Sequence, residues 1–365
     1  DTWFSSGLWP FSTLGWPNET DALKKFYPAS DLETGYDILF FWVARMMMFG
    51  LYFMKDVPFR RILLHGLVVD ETGDKMSKVK GNVIDPLDLI YGSDFKQVVA
   101  KALPGAPEKE ALQKFQKAYP STAAMGNGFP AFGADALRFT LSTFPPSNKR
   151  IALAPKRIEG YRHFANKIWN ASRLSLGHLQ GMATDSGSEK APEAKAWYNR
   201  WLLAQLGKSI EVCNAGFDAF RIDEAANESY RFFWNDFCDW YLEITKPVLR
   251  TAEGAAEHPE AAETRLVLAY VLEAALRLMH PLMPFLTEDL WQRTPRPASR
   301  KKSIAFGPYP TKADGLEDEA ALKDMALFKD VVSAARTIRS EHEINPRAEV
   351  PLALRTDDAR ARELL

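Results

Sequence analysis

Three lysines, Lys75, Lys78 and Lys80, fall within six residues, and Gly73 and Gly81 flank them. Ammonium groups on a glycine-hinged loop suit a polyphosphate whose charge shifts during a reaction. Both glycines open backbone conformations closed to other residues, so Gly73 to Val83 reads as a mobile loop, not an element interior. Met76 is the apolar member and would pin the loop's middle to the body. Charge alone favours a solvated basic turn, so the decision falls to the elements that hold the loop.

Upstream of the loop, Arg61 to Val69 is a short, mostly apolar run with β-branched residues at its end, bounded by Asp70-Glu71-Thr72-Gly73. That pattern predicts a strand running into the loop. Before it, Thr34-Gly35-Tyr36-Asp37 leads into an apolar run, with Asp37 placed to cap a helix reaching about Met54. Amides exposed at a helix start are ready to meet polar ligand groups, although a plain cap is the simpler role for Asp37 alone. Strand, loop and helix start together define an α/β sheet, which binds ligands at the carboxyl ends of its strands. Residues 1–17 hold Trp3, Phe4, Trp9, Phe11 and Trp16 with no helical or strand period. They read as a loop-rich segment that walls a cavity, or as packing beneath a sheet edge.

Asp85-Pro86-Leu87-Asp88 opens a short helix with proline at its first position. Residues 95–132 form an excursion, helical around Pro107–Tyr119 and then glycine-rich. After Gly133, helical spacing covers Asp135–Phe144, Pro155–Gln180, Glu193–Phe217, Ile222–Ala252 and Glu260–Thr294. Amphipathic segments of that length predict a helical bundle, so the fold class is α/β followed by all-α. Glu253–Glu263 reads as a hinge, Tyr309–Ala321 as a polar linker, 324–340 as a further helix and Glu349–Leu354 as the start of a strand. On the early bundle, Lys156, Arg157, Arg162, Lys167 and Arg173 follow Lys149 and Arg150. Tyr161, His163, Phe164 and Trp169 are interleaved among them. Cations beside stacking surfaces suit single-stranded RNA loops, and they equally suit a solvated bundle face.

Composition sets the bounds. The 365 residues allow about two domains, and 46% hydrophobic with 25% charged residues is ordinary for a globular protein. Net charge is −1, so a polyanion must be met by local patches. Two cysteines, Cys213 and Cys238, are too few for a disulfide framework or a four-thiolate zinc site, and suit a cytoplasmic setting. Ile38 to Met54 is apolar apart from Arg45 and Gly50. Being shorter than the usual ~20-residue span, with a charge near its middle, it is expected as a buried helix. The start at Asp1, without Met, suggests a piece of something larger.

With these residues assembled, the chain resembles a class I aminoacyl-tRNA synthetase. Lys75-Met76-Ser77-Lys78-Val79 is similar to that class's K-M-S-K-S signature, and Lys80-Gly81-Asn82-Val83-Ile84-Asp85-Pro86 continues it. Within the class, Asp1-Thr2-Trp3-Phe4-Ser5-Ser6 and Thr34-Gly35-Tyr36-Asp37-Ile38-Leu39-Phe40-Phe41-Trp42 resemble the valyl-tRNA synthetase family. So does Phe233-Trp234-Asn235-Asp236-Phe237-Cys238-Asp239-Trp240-Tyr241. His280-Pro281-Leu282-Met283-Pro284-Phe285-Leu286-Thr287-Glu288 resembles part of a helical anticodon-binding domain. The likeness covers nearly the whole chain except about 95–130.

The resemblance implies the C-terminal part of a Rossmann-type nucleotide-binding domain, followed by a helical anticodon-binding bundle. Residues 1–94 would be the second half of the catalytic domain, 95–154 the insertion and connecting stem, 155–310 the anticodon-binding domain, and 311–365 a linker, a helix and a truncated α/β segment. It implies activation of L-valine by ATP with Mg2+ to valyl-adenylate, and transfer to valine tRNA, by a monomer with no membrane partner. No metal site of the protein's own is expected. Lys75 and Lys78 would hold the triphosphate, with Met76 and Ser77 in the same ATP-binding loop. Gly35 and Asp37 would meet the ribose, and Trp3 and Ile38 would wall the valine side chain. Such an apolar slot rejects isosteric threonine poorly, a limit for which valine enzymes are the standard illustration.

Two departures stand out. Val79 replaces the signature's last serine and removes a hydroxyl. The H-I-G-H signature, the editing domain and the C-terminal coiled coil are not among these residues, so half a nucleotide site is expected to bind ATP weakly and not to activate valine by itself. A naturally truncated tRNA-binding module is the alternative. A helical scaffold with a fortuitous loop is a third reading, disfavoured by the motifs at 1–10 and 34–42.

Overall fold

The computed structural model describes residues 2–250, 256–300, 302–312, 316–345 and 348–364, which form two compact units. The first contains residues 1–133, 140–161 and 219–223, and so holds the lysine loop and the 95–132 excursion together.

The first unit begins with helix α1 (Thr2–Ser12), where sequence pattern predicts loop. Phe4, Gly7 and Phe11 do share a helical face, with glycine as its middle member, so a search for apolar residues misses the stripe. A Cβ on Gly7 would come within 2.5 Å of the Phe49 ring, and Phe4 lies 5.2 Å from that ring. Close packing onto the next helix overrides the cost of Pro10 inside this one. After α2 (Asp21–Phe26), β1 (Ala29–Gly35) is a strand that the sequence reading does not anticipate, because it is polar and mostly exposed.

From β1 the chain enters a continuous helical run. It has a 3₁₀ turn at Tyr36–Ile38, π-helical stretches at Leu39–Val43 and Gly50–Met54, and α3 (Ala44–Phe49) between them. The helix exists as expected, but two details are corrected. Gly35, not Asp37, occupies the cap position, and Asp37 lies inside the first turn. Nor is the helix buried: Val43, Met46 and Gly50 form one covered stripe, while Phe40 is 77% and Tyr52 69% exposed. Its length and composition would suffice to cross a membrane, and only 17% of its most apolar window is buried. Phe59 and Leu32 pack against Val43 and Met46, and each fully buried side chain there contributes about 1.5–3 kcal/mol.

The run crosses over to β2 (Phe59–His65), which pairs parallel with β1 from Ala29↔Phe59 to Gly35↔His65. The single strand expected over 61–69 is in fact β2 and β3 (Leu67–Val69), separated at Gly66. A Cβ there would lie 2.0 Å from the Asn148 carbonyl oxygen, so only glycine lets the chain pass between pairings. Beyond the loop come α4 (Pro86–Tyr91), with Pro86 at its first position as expected and Asp85 as its cap, β4 (Ser93–Asp94), α5 (Phe95–Ala102), α6 (Glu108–Ala118) and β5 (Gly128–Phe129). The division into units falls within α7 (Ala134–Ser142); β6 (Arg150–Ala152) follows and pairs parallel with β3.

The second unit is helical. It takes in most of α8 (Pro155–His178), α9 (Trp197–Asp218) and a nearly continuous helix made of α10 (Ile222–Arg231), a π stretch at Phe232–Tyr241 and α11 (Leu242–Leu249). The single helix expected over Glu260–Thr294 is two, α12 (Ala261–Met279) and α13 (Pro284–Arg293). Pro281 and Pro284 cannot continue the backbone ladder, and Asp135 carboxylate oxygens accept the amides of Phe285 and Leu286 at the new helix start. Of the expected hinge, residues 253–255 lie outside the described residues, as do 313–315 of the linker. The linker is shorter than expected, since α14 (Glu319–Glu341) starts with Asp318 as its cap. Glu349–Leu354 is not a strand: no described strand pairs with it, and α15 (Ala359–Leu364) follows.

Candidate nucleotide site

Gly35 ends β1 beside His65 at the end of β2, so the ligand-facing end of this strand pair is built from those residues and the turn that follows. Asp37 folds back over Gly35, where a Cβ would be only 2.8 Å from its Oδ1. Lys75 Nζ stands 4.0 Å from Asp37 Oδ2. The Lys75 side chain is largely exposed and that of Asp37 partly so, and the charged atoms are at the limit of pairing distance, so this pair contributes little stability; its importance is that residues far apart in sequence meet at a strand end. His65 and Glu33, 3.4 Å apart, border the same place and were not singled out from sequence. The pair His65-Gly66, where a strand breaks, was the available signal.

The lysine stretch is a loop, and Gly73 and Gly81 adopt φ of +93° and +69°. Lys80 reaches Asp74 at 3.0 Å, while Lys78 is exposed and, among the described residues, makes no ion pair. Met76 is half-buried, and Val79 is 89% exposed. Ser77 donates its amide to Asn82 Oδ1 at 2.8 Å.

Beneath the loop lies a buried polar network that sequence reasoning passed over. Asn82 Nδ2 donates to Asp70 Oδ2 at 2.8 Å and to the Lys75 carbonyl at 3.3 Å. Asp70 Oδ1 accepts the Thr72 amide and hydroxyl and the Asp74 amide. Burial opposes the Asp70 charge, but the Asn82, Asp74 and Thr72 hydrogen bonds outweigh it and hold the pKa below the usual value. Arg150 Nη1 donates to the Gly73 carbonyl at 3.0 Å.

Trp3 and Ile38 are 48% and 42% exposed, and the Arg45 guanidinium lies 3.9 Å from the centre of the Trp3 ring. The five candidate RNA-binding cations all lie on α8. Arg157 is exposed, yet it donates to Thr143 at 3.0 Å and lies over Phe144. Lys167 bonds Asp239 at 2.6 Å and lies over Trp234. Phe164 is fully buried against Phe139 and Tyr230, so it offers no stacking surface, contrary to the sequence reading. Lys156 and Arg173 are exposed, and Arg162 is half-exposed.

Residues 1–153 match the family described as tRNA synthetases class I (I, L, M and V), and residues 199–354 match the anticodon-binding domain of tRNA ligase. A LeuRS–tRNA–LeuAMS ternary complex from Agrobacterium radiobacter K84 superposes with a TM-score of 0.59 at 18% identity, covering 87% of this chain and 33% of that one. Methionyl-tRNA synthetase of Mycobacterium tuberculosis bound by methionyl-adenylate gives 0.53 at 22% identity, covering 82% of this chain and 52% of that one. Those two likenesses speak for the fold: part of a Rossmann-type catalytic domain, then a helical anticodon-binding bundle. The chain belongs to the class I tRNA synthetases.

Its sequence relatives narrow the class. Valine–tRNA ligases of Neisseria meningitidis serogroup A and Neisseria gonorrhoeae are each 42% identical over 98% of this chain. The chain spans 38% of the length of either relative.

Proposed function

We propose that this chain supplies, within a valine–tRNA ligase, the lysine-loop side of the ATP site and a helical region that holds valine tRNA. The observation that carries the proposal is the meeting of Lys75 with Asp37, 4.0 Å between the charged atoms, where Asp37 folds over Gly35 at the strand end. The valine carboxylate attacks the α-phosphate of ATP, the bond to the β-phosphate breaks, and pyrophosphate leaves with its negative charge. No covalent bond to the protein forms, so its residues act by position and charge. Lys75 and Lys78 hold the departing phosphates, with Met76 and Ser77 shaping the loop. Gly35 leaves room for the ribose and Asp37 accepts from its hydroxyls. Trp3 and Ile38 line the valine side chain, and Mg2+ arrives with the nucleotide. The valyl group then passes to the 3′-terminal adenosine of valine tRNA.

Lys78 is the residue to test because it is exposed and has no intramolecular ion pair among the described residues. In the full-length protein, Lys78→Ala lowers valine-dependent ATP–pyrophosphate exchange on the order of 10²-fold and leaves tRNA affinity unchanged. Weaker tRNA binding with normal exchange would refute the assignment. These residues by themselves are proposed not to support exchange. A cytoplasmic location is proposed on the low cysteine count alone, two residues being too few for a disulfide framework.

A further inference from the structure

The 95–132 excursion touches both ends of the lysine loop, a property that its sequence does not announce. Tyr119, fully buried and packed on Phe115, donates its hydroxyl to the Asn82 carbonyl at 2.8 Å. Asn82 is the residue whose side chain holds the Lys75 carbonyl and the Ser77 amide. Ser121 donates its amide to Glu71 Oε2 at 3.0 Å, at the loop's entry. At the exit, a Cβ on Gly81 would approach Leu103 to 3.2 Å, so the excursion lies against the loop's second hinge. Lys101 reaches Asp88 at 2.6 Å and Asp85 at 3.6 Å, tying α5 to the helix that receives the loop. Burial, with Asp70 and Glu71 nearby, pushes the Tyr119 pKa up, so the hydroxyl remains a donor.

We infer that residues 95–132 form a seat for the lysine loop, and that Tyr119 is a positioning residue acting through Asn82 on Lys75 and Ser77. The inference rests on the proposed role of the loop lysines at the ATP phosphates. Through this seat the loop's hinges are anchored while Lys78 stays free to follow the phosphates. Tyr119 itself touches no substrate.

Tyr119→Phe keeps the ring and removes only the donor. The primary readout is trypsin cleavage at Lys75, Lys78 and Lys80 in the full-length protein without ligands, with the products mapped by mass. The variant is cut there about three- to tenfold faster, as loss of one ordinary hydrogen bond predicts. The kcat of ATP–pyrophosphate exchange falls by a similar factor, and KM for valine holds. Glu71→Ala, a change at a partly exposed side chain, gives the same direction through the Ser121 contact and does not depend on the core tolerating Tyr119→Phe. Unchanged cleavage in both folded variants overturns the seat. Faster cleavage with unchanged exchange upholds the seat and overturns the assignment of the loop lysines to ATP.

Discussion

Replacing Asp70 by asparagine tests the network under the loop with almost no change of shape. Asp70 Oδ1 accepts three hydrogen bonds, from the Thr72 amide and hydroxyl and the Asp74 amide, at 2.8–3.1 Å. Oδ2 accepts a fourth, from Asn82 Nδ2 at 2.8 Å. An asparagine there keeps an oxygen for the first three but turns its NH2 toward the NH2 of Asn82. Asn82 cannot flip to compensate, because its Oδ1 already accepts the Ser77 amide. The variant therefore loses one bond, sets donor against donor and removes charge assistance from the rest, at a local cost of about 2–4 kcal/mol. At about 1.4 kcal/mol per tenfold, the Asp74 and Ser77 amides should exchange with solvent roughly 30- to 1,000-fold faster, while amides in α9 are unaffected. Hydrogen–deuterium exchange with peptide or NMR resolution measures this directly. Because the folded pKa of Asp70 is depressed, its stabilisation is complete above the ordinary carboxylate value of 3.8 and lost as pH falls through the lower folded value. Wild-type protection of the loop should fall over that acid window, and the Asp70→Asn variant should lack the step. Wild-type exchange rates at Asp74 and Ser77 in the variant would refute the reasoning.

The helical unit and the proposed RNA face offer two further tests. Glu273 is buried and accepts from Arg277 Nε at 2.9 Å and from Trp291 Nε1 at 2.9 Å. Glu273→Ala strands the buried guanidinium and should destabilise the unit by about 3–5 kcal/mol in denaturant unfolding; a loss under about 1 kcal/mol would show that Arg277 finds other compensation. On α8, Lys167 is paired with Asp239, and Arg157, though exposed, is engaged by Thr143 and Phe144, which leaves Lys156, Arg162 and Arg173 as the better candidates for phosphate contact. Neutralising those three should weaken valine tRNA binding and flatten the slope of log affinity against log salt by about 2, whereas an unchanged slope would mark them as a solvated face.

Local signals account for what was legible without coordinates. Asp85-Pro86 announces α4 because a cap and a fixed proline φ act within one turn. Gly73 and Gly81 announce a loop because positive φ is a property of single residues. The helices after residue 133 are visible because each carries its own apolar face. Where the reading failed, the deciding partner lay elsewhere in the chain. α1 depends on Gly7 meeting Phe49, and β1 has too little apolar alternation to show without β2 beside it. The missed break between α12 and α13 is different, since Pro281 and Pro284 were in plain view.

The lysine cluster shows the same division most clearly. Residue types and spacing alone determined that a hinged, cationic loop follows a strand, because charge and backbone freedom are local properties. They also carried the family likeness, through motifs that survive as contiguous strings. Only the tertiary structure decided that Lys75 meets Asp37, that Asp70 and Asn82 lie beneath the loop, and that Tyr119 and Ser121 reach it from the excursion. Those contacts join residues up to 50 positions apart, and a hydrogen bond depends on distance in space, which sequence separation does not encode.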